Sequence, residues 1–294
     1  MSGPTKTSDG VTQTLSRMVE LSVDTYYNPY KTFDWPEALS EDQWWMSPDL
    51  TSTHDTELSK SLSPRQKMAL SKWESINFYG LIVYGIRELM LEVARRIYAP
   101  GFEFASEYFH HFLGEENGHM WFFAKFCLKY GSKLYPDKRV KTSAPAEPDI
   151  EAFVVFSRIL IFEELGDYFN IRMGKDESLA PIIRDLNNVH HQDESRHIAF
   201  GRQVVKQLYG QISDRYAPEK LAEHQDGLKA YMNLCIQNLY NPSVYKDAGL
   251  AEPYKFRRQV LQDPARRPYH RQVLKRTTEF FLKNNILQGE DFIS

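Results

Sequence analysis

The chain has 294 residues, 42% hydrophobic and 26% charged, with a formal net charge of −3; this is the composition of a folded globular protein and excludes wholesale disorder. With a sequence pI near 6.3 it offers no basic surface to a nucleic-acid backbone, and two cysteines, Cys127 and Cys235, cannot staple a chain of this length. The opening MSGPTKTSDGVTQTL lacks an apolar export signal, and the apolar runs meet charges too soon to cross a bilayer, as at 80–86 before Arg87 and Glu88. The expectation is a cytoplasmic protein with neither membrane nor nucleic-acid partners.

Residues 1–60 are polar, with scattered aromatics and turn formers, and read as an N-terminal arm; residues 61–294 read as one helical domain with C-terminal helices. Ser63-Pro64 is an N-cap followed by proline at the first helical position, and the pattern runs to Tyr98 before Pro100-Gly101 stops it. A second helix is predicted over 103–130, ending at Gly131. After Pro136, Pro145 and Pro148, a third runs from an Asp149 cap to Met173 and Gly174. A fourth spans 177–209 up to Gly210, and further helices are predicted over 218–240 and 269–286, with NPSVYKDAGL (241–250) between them. No segment alternates like a strand bounded by hairpin turns. The fold class is all-α, a four-helix bundle with additional helices.

Six of the nine histidines fall in two clusters: His110, His111 and His119, then His190, His191 and His197. In each cluster a glutamate precedes the last histidine by three residues, as Glu116/His119 and Glu194/His197. On a helix that spacing turns both side chains to one side, so the pair can meet one ion. His190, four residues before Glu194, joins that stripe; His191 is rotated off it. Two Glu-x-x-His helices plus one glutamate from each of two others is the ligand plan of dinuclear carboxylate bundles.

Turn symmetry selects the other two acids. Antiparallel helices joined by a short turn bring equidistant residues to one height. Counting back from the turn near Gly101 by the fifteen residues that reach Glu116 lands near 86, where Glu88 is the nearest acid, Glu92 the fallback, and Glu74 too far along the helix. Counting back from the turn near Glu177 selects Glu163 or Glu164, with Glu163 more nearly opposite the polar side marked by Glu151, Arg158 and Arg172. Carboxylates in so apolar a run are costly to bury unless paired with a metal or cation. The predicted ligands are Glu88, Glu116, His119, Glu163, His190, Glu194 and His197. Mixed carboxylate and imidazole donors suit iron or manganese, and a di-iron(II) pair can reduce O2 to a bridging peroxo species. Asp193 and Asp167 could orient a ligating histidine.

EENGH (115–119) and DESRH (193–197) resemble the paired motifs of ferritin-like di-iron oxygenases. His190 narrows the likeness to the AurF-like arylamine N-oxygenases, which the 241–250 segment also resembles; the likeness covers roughly residues 65–285. It implies a ferritin-like bundle with two iron ions, and O2-dependent oxidation of a primary, aromatic amine toward hydroxylamine or nitro products through a peroxo-di-iron intermediate. C–H hydroxylation or desaturation on the same centre is the alternative, and ferroxidase or iron-storage activity a more distant one. The chain carries Phe123 where the radical-generating subunit of ribonucleotide reductase has a tyrosine. No dinucleotide motif or four-cysteine cluster is present, so an external electron donor is expected, and a homodimer is allowed for. Phe112, Phe122, Phe123, Phe126 and Phe162 fit plain core better than a substrate wall, and Arg266, Arg267 and Arg271 fit a solvated surface better than a substrate carboxylate site.

Overall fold

Within the arm, where no helix is predicted, the chain forms α1 (Asp9–Asp24) and the short α2 (Glu57–Ser61). α1 buries Leu15, Met18 and Ser22 and half-buries Val19, a single stripe at helical spacing, and packs against two of the bundle helices described next. Its stripe is narrow and its remaining residues polar, which hides the period in the sequence. The structure, a computed structural model, describes residues 9–136, 145–291 and 293; part of the predicted connection after Pro136 lies outside them.

Four long helices make the core: α3 (Pro64–Ala94), α4 (Ser106–Gly131), α5 (Pro148–Lys175) and α6 (Pro181–Ser213). Ser63 starts α3 with a full capping box, its side chain accepting from the Gln66 N–H while Gln66 returns to the Ser63 N–H. α3 ends short of the predicted Tyr98, which takes a left-handed φ of 54° in the turn. α4 ends through Ser132, not Gly131, in the left-handed position. α6 runs through Gly210, because Ile212 continues the buried stripe of Val204 and Val205.

α3 pairs with α4 and α5 with α6, and contacts of α4 with α6 and α3 with α5 close the bundle. Phe109, Phe122, Phe123 and Phe126 of α4 are fully buried, each such ring stabilising the fold by roughly 1.5–3 kcal/mol. A Cβ on Gly85 would sit 2.1 Å from Phe162, so glycine there sets how closely α3 approaches α5. Around the core wrap α7 (Pro218–Leu239), α8 (Pro242–Asp247), α9 (Pro253–Gln262) and α10 (Arg266–Lys283). α8 starts at an Asn241 cap whose side chain accepts from the Ser243 N–H. An isolated bridge between Trp44 and Leu179 is the only β pairing among the described residues. The molecule is all-α.

Candidate metal centre

Glu116 and His119 on α4 and Glu194 and His197 on α6 converge in the bundle interior, one ligand atom of each lying within 4.8 Å of the others. Glu116 Oε1 lies 2.7 Å from His197 Nδ1 and 3.5 Å from His119 Nδ1. Glu194 turns Oε1 to His119 Nδ1 at 3.7 Å and Oε2 to His197 Nδ1 at 3.4 Å. Although the atoms are this close, both oxygens of Glu116 and of Glu194, and Nδ1 of both histidines, are buried without a hydrogen bond. Orphaned buried acceptors cost about 1–3 kcal/mol each. Close together yet misaligned for hydrogen bonds, these donor atoms form the arrangement a cation satisfies; the residues fit a metal.

Two further side chains reach the cluster. Glu163 of α5 is buried, with Oε1 also lacking a hydrogen bond. Burial, then the neighbouring charges of Glu194 and Glu116, push its carboxyl well above the ordinary range. His190, one turn before Glu194, has Nε2 2.8 Å from Glu194 Oε1, and its ring stands 4.5 Å from that of His119 and 4.9 Å from Phe123. On its far side Nδ1 meets the Asn170 amide of α5 at 2.6 Å. Burial alone would raise Glu194 and lower His119; the charges around them outweigh it. His190 and His197 hold Glu194 well below its usual range, while Glu116 and Asp193 push His119 up to about 10.

Each motif histidine is oriented by the acid that precedes the opposite helix's motif glutamate. His119 Nε2 pairs with Asp193 at 2.9 Å, and His197 Nε2 with Glu115 at 2.8 Å. With Nε2–H donated outward, the neutral ring that a metal would bind turns Nδ1 inward as the ligand atom. Arg196 ties the two acids together, donating to Glu115 Oε1 and Asp193 Oδ1 at 2.6 Å each. The arm adds Tyr27, whose hydroxyl donates to Asp193 Oδ2 at 3.2 Å. Pro29 follows it closely enough that a Cβ on Gly118 would lie 3.1 Å away. Glu115, Asn170 and Tyr27 were not anticipated from sequence. Glu115 was findable, since it stands to Glu116 as Asp193 stands to Glu194; Tyr27 sits in a segment with no period.

Of the predicted residues, Glu116, His119, Glu163, His190, Glu194 and His197 come together. Glu88 does not: its side chain is 45% exposed and its carboxylate lies 3.2 Å from Arg87 Nε. Turn symmetry gave the right height but not the azimuth. The inward stripe of α3 is Ile82, Ile86, Leu89 and Val93, and Glu88 is rotated about 200° from Ile86. Glu92 pairs with Arg95 and Arg96, and Glu74 is buried away from the cluster, accepting the Ser52 N–H. Glu164 is bound by Arg202 and Thr277, so Glu163 is the acid of that pair that faces the centre. His191 turns to Asp167, which also takes Arg276; Asp167 therefore orients a histidine outside the cluster. Phe112, Phe122, Phe123 and Phe126 are core, with Phe112 4.3 Å from the His197 ring. Arg266 is not at the surface: it is buried, donating to His54 O and the Tyr240 hydroxyl.

The p-aminobenzoate N-oxygenase AurF family matches residues 8–284 of the chain. Among solved structures the chain resembles R2-like ligand-binding oxidases. One is a tyrosine-to-phenylalanine variant with an aerobically reconstituted Mn/Fe cofactor, 14% identical with a TM-score of 0.57 over 93% of each chain. Another is a valine-to-alanine variant with an anaerobically reconstituted Mn/Fe cofactor, 15% identical with a TM-score of 0.56 over 93% of each chain. At such identities the likeness shows a shared fold. A comparison with curated proteins gave no match.

Proposed function

The chain belongs to the p-aminobenzoate N-oxygenase (AurF) family, and from that membership we propose that it is an O2-dependent oxygenase holding two iron ions on Glu116, His119, Glu163, His190, Glu194 and His197, and oxidising a primary aromatic amine toward the hydroxylamine or nitro level. The observation that carries this is the convergence of three buried carboxylates and three buried imidazoles from three helices. Bound there, an iron pair would supply the electrons that activate O2. Glu116, facing two imidazoles, and Glu194, facing three, would hold the pair, and Asp193 and Glu115 keep Nδ1 of His119 and His197 turned inward. Phe112, Phe122 and Phe123 exclude water. In the first oxidation the amine and O2, with two electrons and two protons, give the hydroxylamine and water; an external one-electron donor supplies the electrons. No helix among the described residues is long and apolar enough to cross a membrane; a cytoplasmic location and a homodimer are part of the proposal.

The test is anaerobic iron loading, then 18O2, a chemical reductant and a panel of arylamines, with products read by mass spectrometry. Label on nitrogen is expected. Label on carbon would move the assignment to C–H hydroxylation, and iron oxidation without organic product to a ferroxidase. The Mn/Fe cofactors of the structural neighbours favour a mixed pair as the second reading of the metal content, which elemental analysis of the purified protein decides.

A further inference from the structure

On the face it turns to the centre α3 carries no acid. Two contacts fix which part of α3 faces it: Ile82 Cδ1 lies 3.2 Å from where a Cβ of Gly166 would be, and a Cβ on Gly85 would meet Phe162. Residues 162 and 166 bracket Glu163, so the facing α3 segment is 82–86, which holds Ile82, Val83, Gly85 and Ile86 and no carboxylate. The acids of α3 are engaged elsewhere, Glu74 with Ser52, Glu88 beside Arg87, and Glu92 with Arg95 and Arg96.

The six donors therefore divide unequally. Glu194 Oε1 faces His190 and His119 while Oε2 faces His197, and Glu116 Oε1 lies between His119 and His197. These two shared carboxylates span one position with two imidazoles, His119 and His190, and another with one, His197. Glu163 lies on the His197 side: α5 runs antiparallel to α6, with Asn170 beside His190 and Leu160 3.4 Å from where a Cβ of Gly201 would be, so position 163 stands at the level of His197. The second position thus has a carboxylate of its own and the first has none. Three carboxylates also fall one charge short of balancing two divalent ions. In a buried site that deficit falls on whichever ion enters last.

We infer that the two metal positions of this chain differ in strength: the Glu163/His197 position takes a divalent transition-metal ion first and retains it, whereas the His119/His190 position fills second and exchanges. The inference rests on the dinuclear reading above. Its test is an anaerobic titration of the metal-stripped full chain with Mn(II), followed by electron paramagnetic resonance. The hyperfine-split signal of an isolated ion is expected up to one equivalent, and the coupled-pair signal only beyond it, with a second dissociation constant weaker by about tenfold or more, equivalent to about 1.4 kcal/mol. A coupled signal growing in proportion from the first addition would overturn the inference while leaving two bound ions. Failure to bind any metal would overturn the dinuclear reading itself. His190→Ala should abolish the second step and spare the first, and Glu163→Gln should weaken the first. Loss of the first step in His190→Ala, or equal weakening of both steps in both variants, also contradicts the assignment.

Discussion

Glu163 and Glu164 are adjacent, equally hidden from solvent, and put to different uses by a rotation of about 100°. Glu163 faces the metal cluster, while Glu164 is met by Arg202 Nε and the Thr277 hydroxyl at 2.6 Å each. Glu163→Ala should lower the iron retained per chain by half or more, with little change in melting temperature of the stripped protein. Glu164→Ala should do the reverse, keeping the iron and destabilising the fold by about 1–3 kcal/mol through an unpaired Arg202. Elemental analysis and thermal unfolding separate the two outcomes; iron loss in Glu164→Ala alone would show that the pair had been read in the wrong order. At this scale the sequence was informative wherever a residue's role follows from helical spacing, as for the two Glu-x-x-His pairs and His190. It was silent on Asn170 and Tyr27, whose partners lie on other segments.

On the scale of a helix, α3 shows what turn symmetry can and cannot deliver. Equal counting from the turn near Gly101 found the level of the centre, but a level includes all directions around the helix, and Ile86 holds the inward one. Helix existence was legible from capping and period for α3 to α7 and α10, whereas α1, α8 and α9 are short or narrow-striped and gave too few residues of pattern. Glu74, further along α3, has a consequence of its own. Burial raises its carboxyl from 4.5 to about 7. Below pH ~4.5 it is protonated in both folded and unfolded chains. As pH rises from there to about 7, the unfolded chain releases the proton more readily, so stability falls and then levels off. The loss amounts to about 3 kcal/mol at most. Glu74→Gln, which can still accept the Ser52 N–H, should flatten this decline: the stability difference between variant and wild type, from urea midpoints at pH 4.5 and pH 8, should grow in the variant's favour. A difference independent of pH would show that Glu74 ionises normally.

Across the described residues, the largest single group of buried polar atoms without a hydrogen bond lies at the metal cluster. The orphaned atoms of Glu116, His119, Glu163, Glu194 and His197 lie on three different helices, so an ion that satisfies them also ties α4, α5 and α6 together. Metal at a hundred times its dissociation constant should stabilise the fold by about 2.7 kcal/mol, a rise of roughly 5 °C in melting temperature. Calorimetry with and without a chelator measures it, and an unchanged transition would mean that the cluster binds no ion in the folded state. The four-helix core could be read in the sequence because its helices are long and bounded by caps, prolines and glycines. The wrapping of the arm around it could not, because that depends on contacts such as Tyr30 with Trp121, at 4.7 Å between ring centres, that leave no periodic trace.

The close seat of Pro29 on Gly118 makes metal exchange a question of rate. Tyr27 holds Asp193, which orients His119, so detachment of the arm is expected to release that histidine and set the speed of uptake and release, while the donors set the affinity. A methyl group at position 118 acts on the first quantity alone. It would intrude to 3.1 Å of the proline ring and loosen the seat without touching a ligand. Gly118→Ala should therefore hand its iron to an external chelator several times faster than the wild type, while binding as much at equilibrium. Stopped-flow absorbance of the chelate would follow the transfer; identical release times would show that the ion leaves by another route.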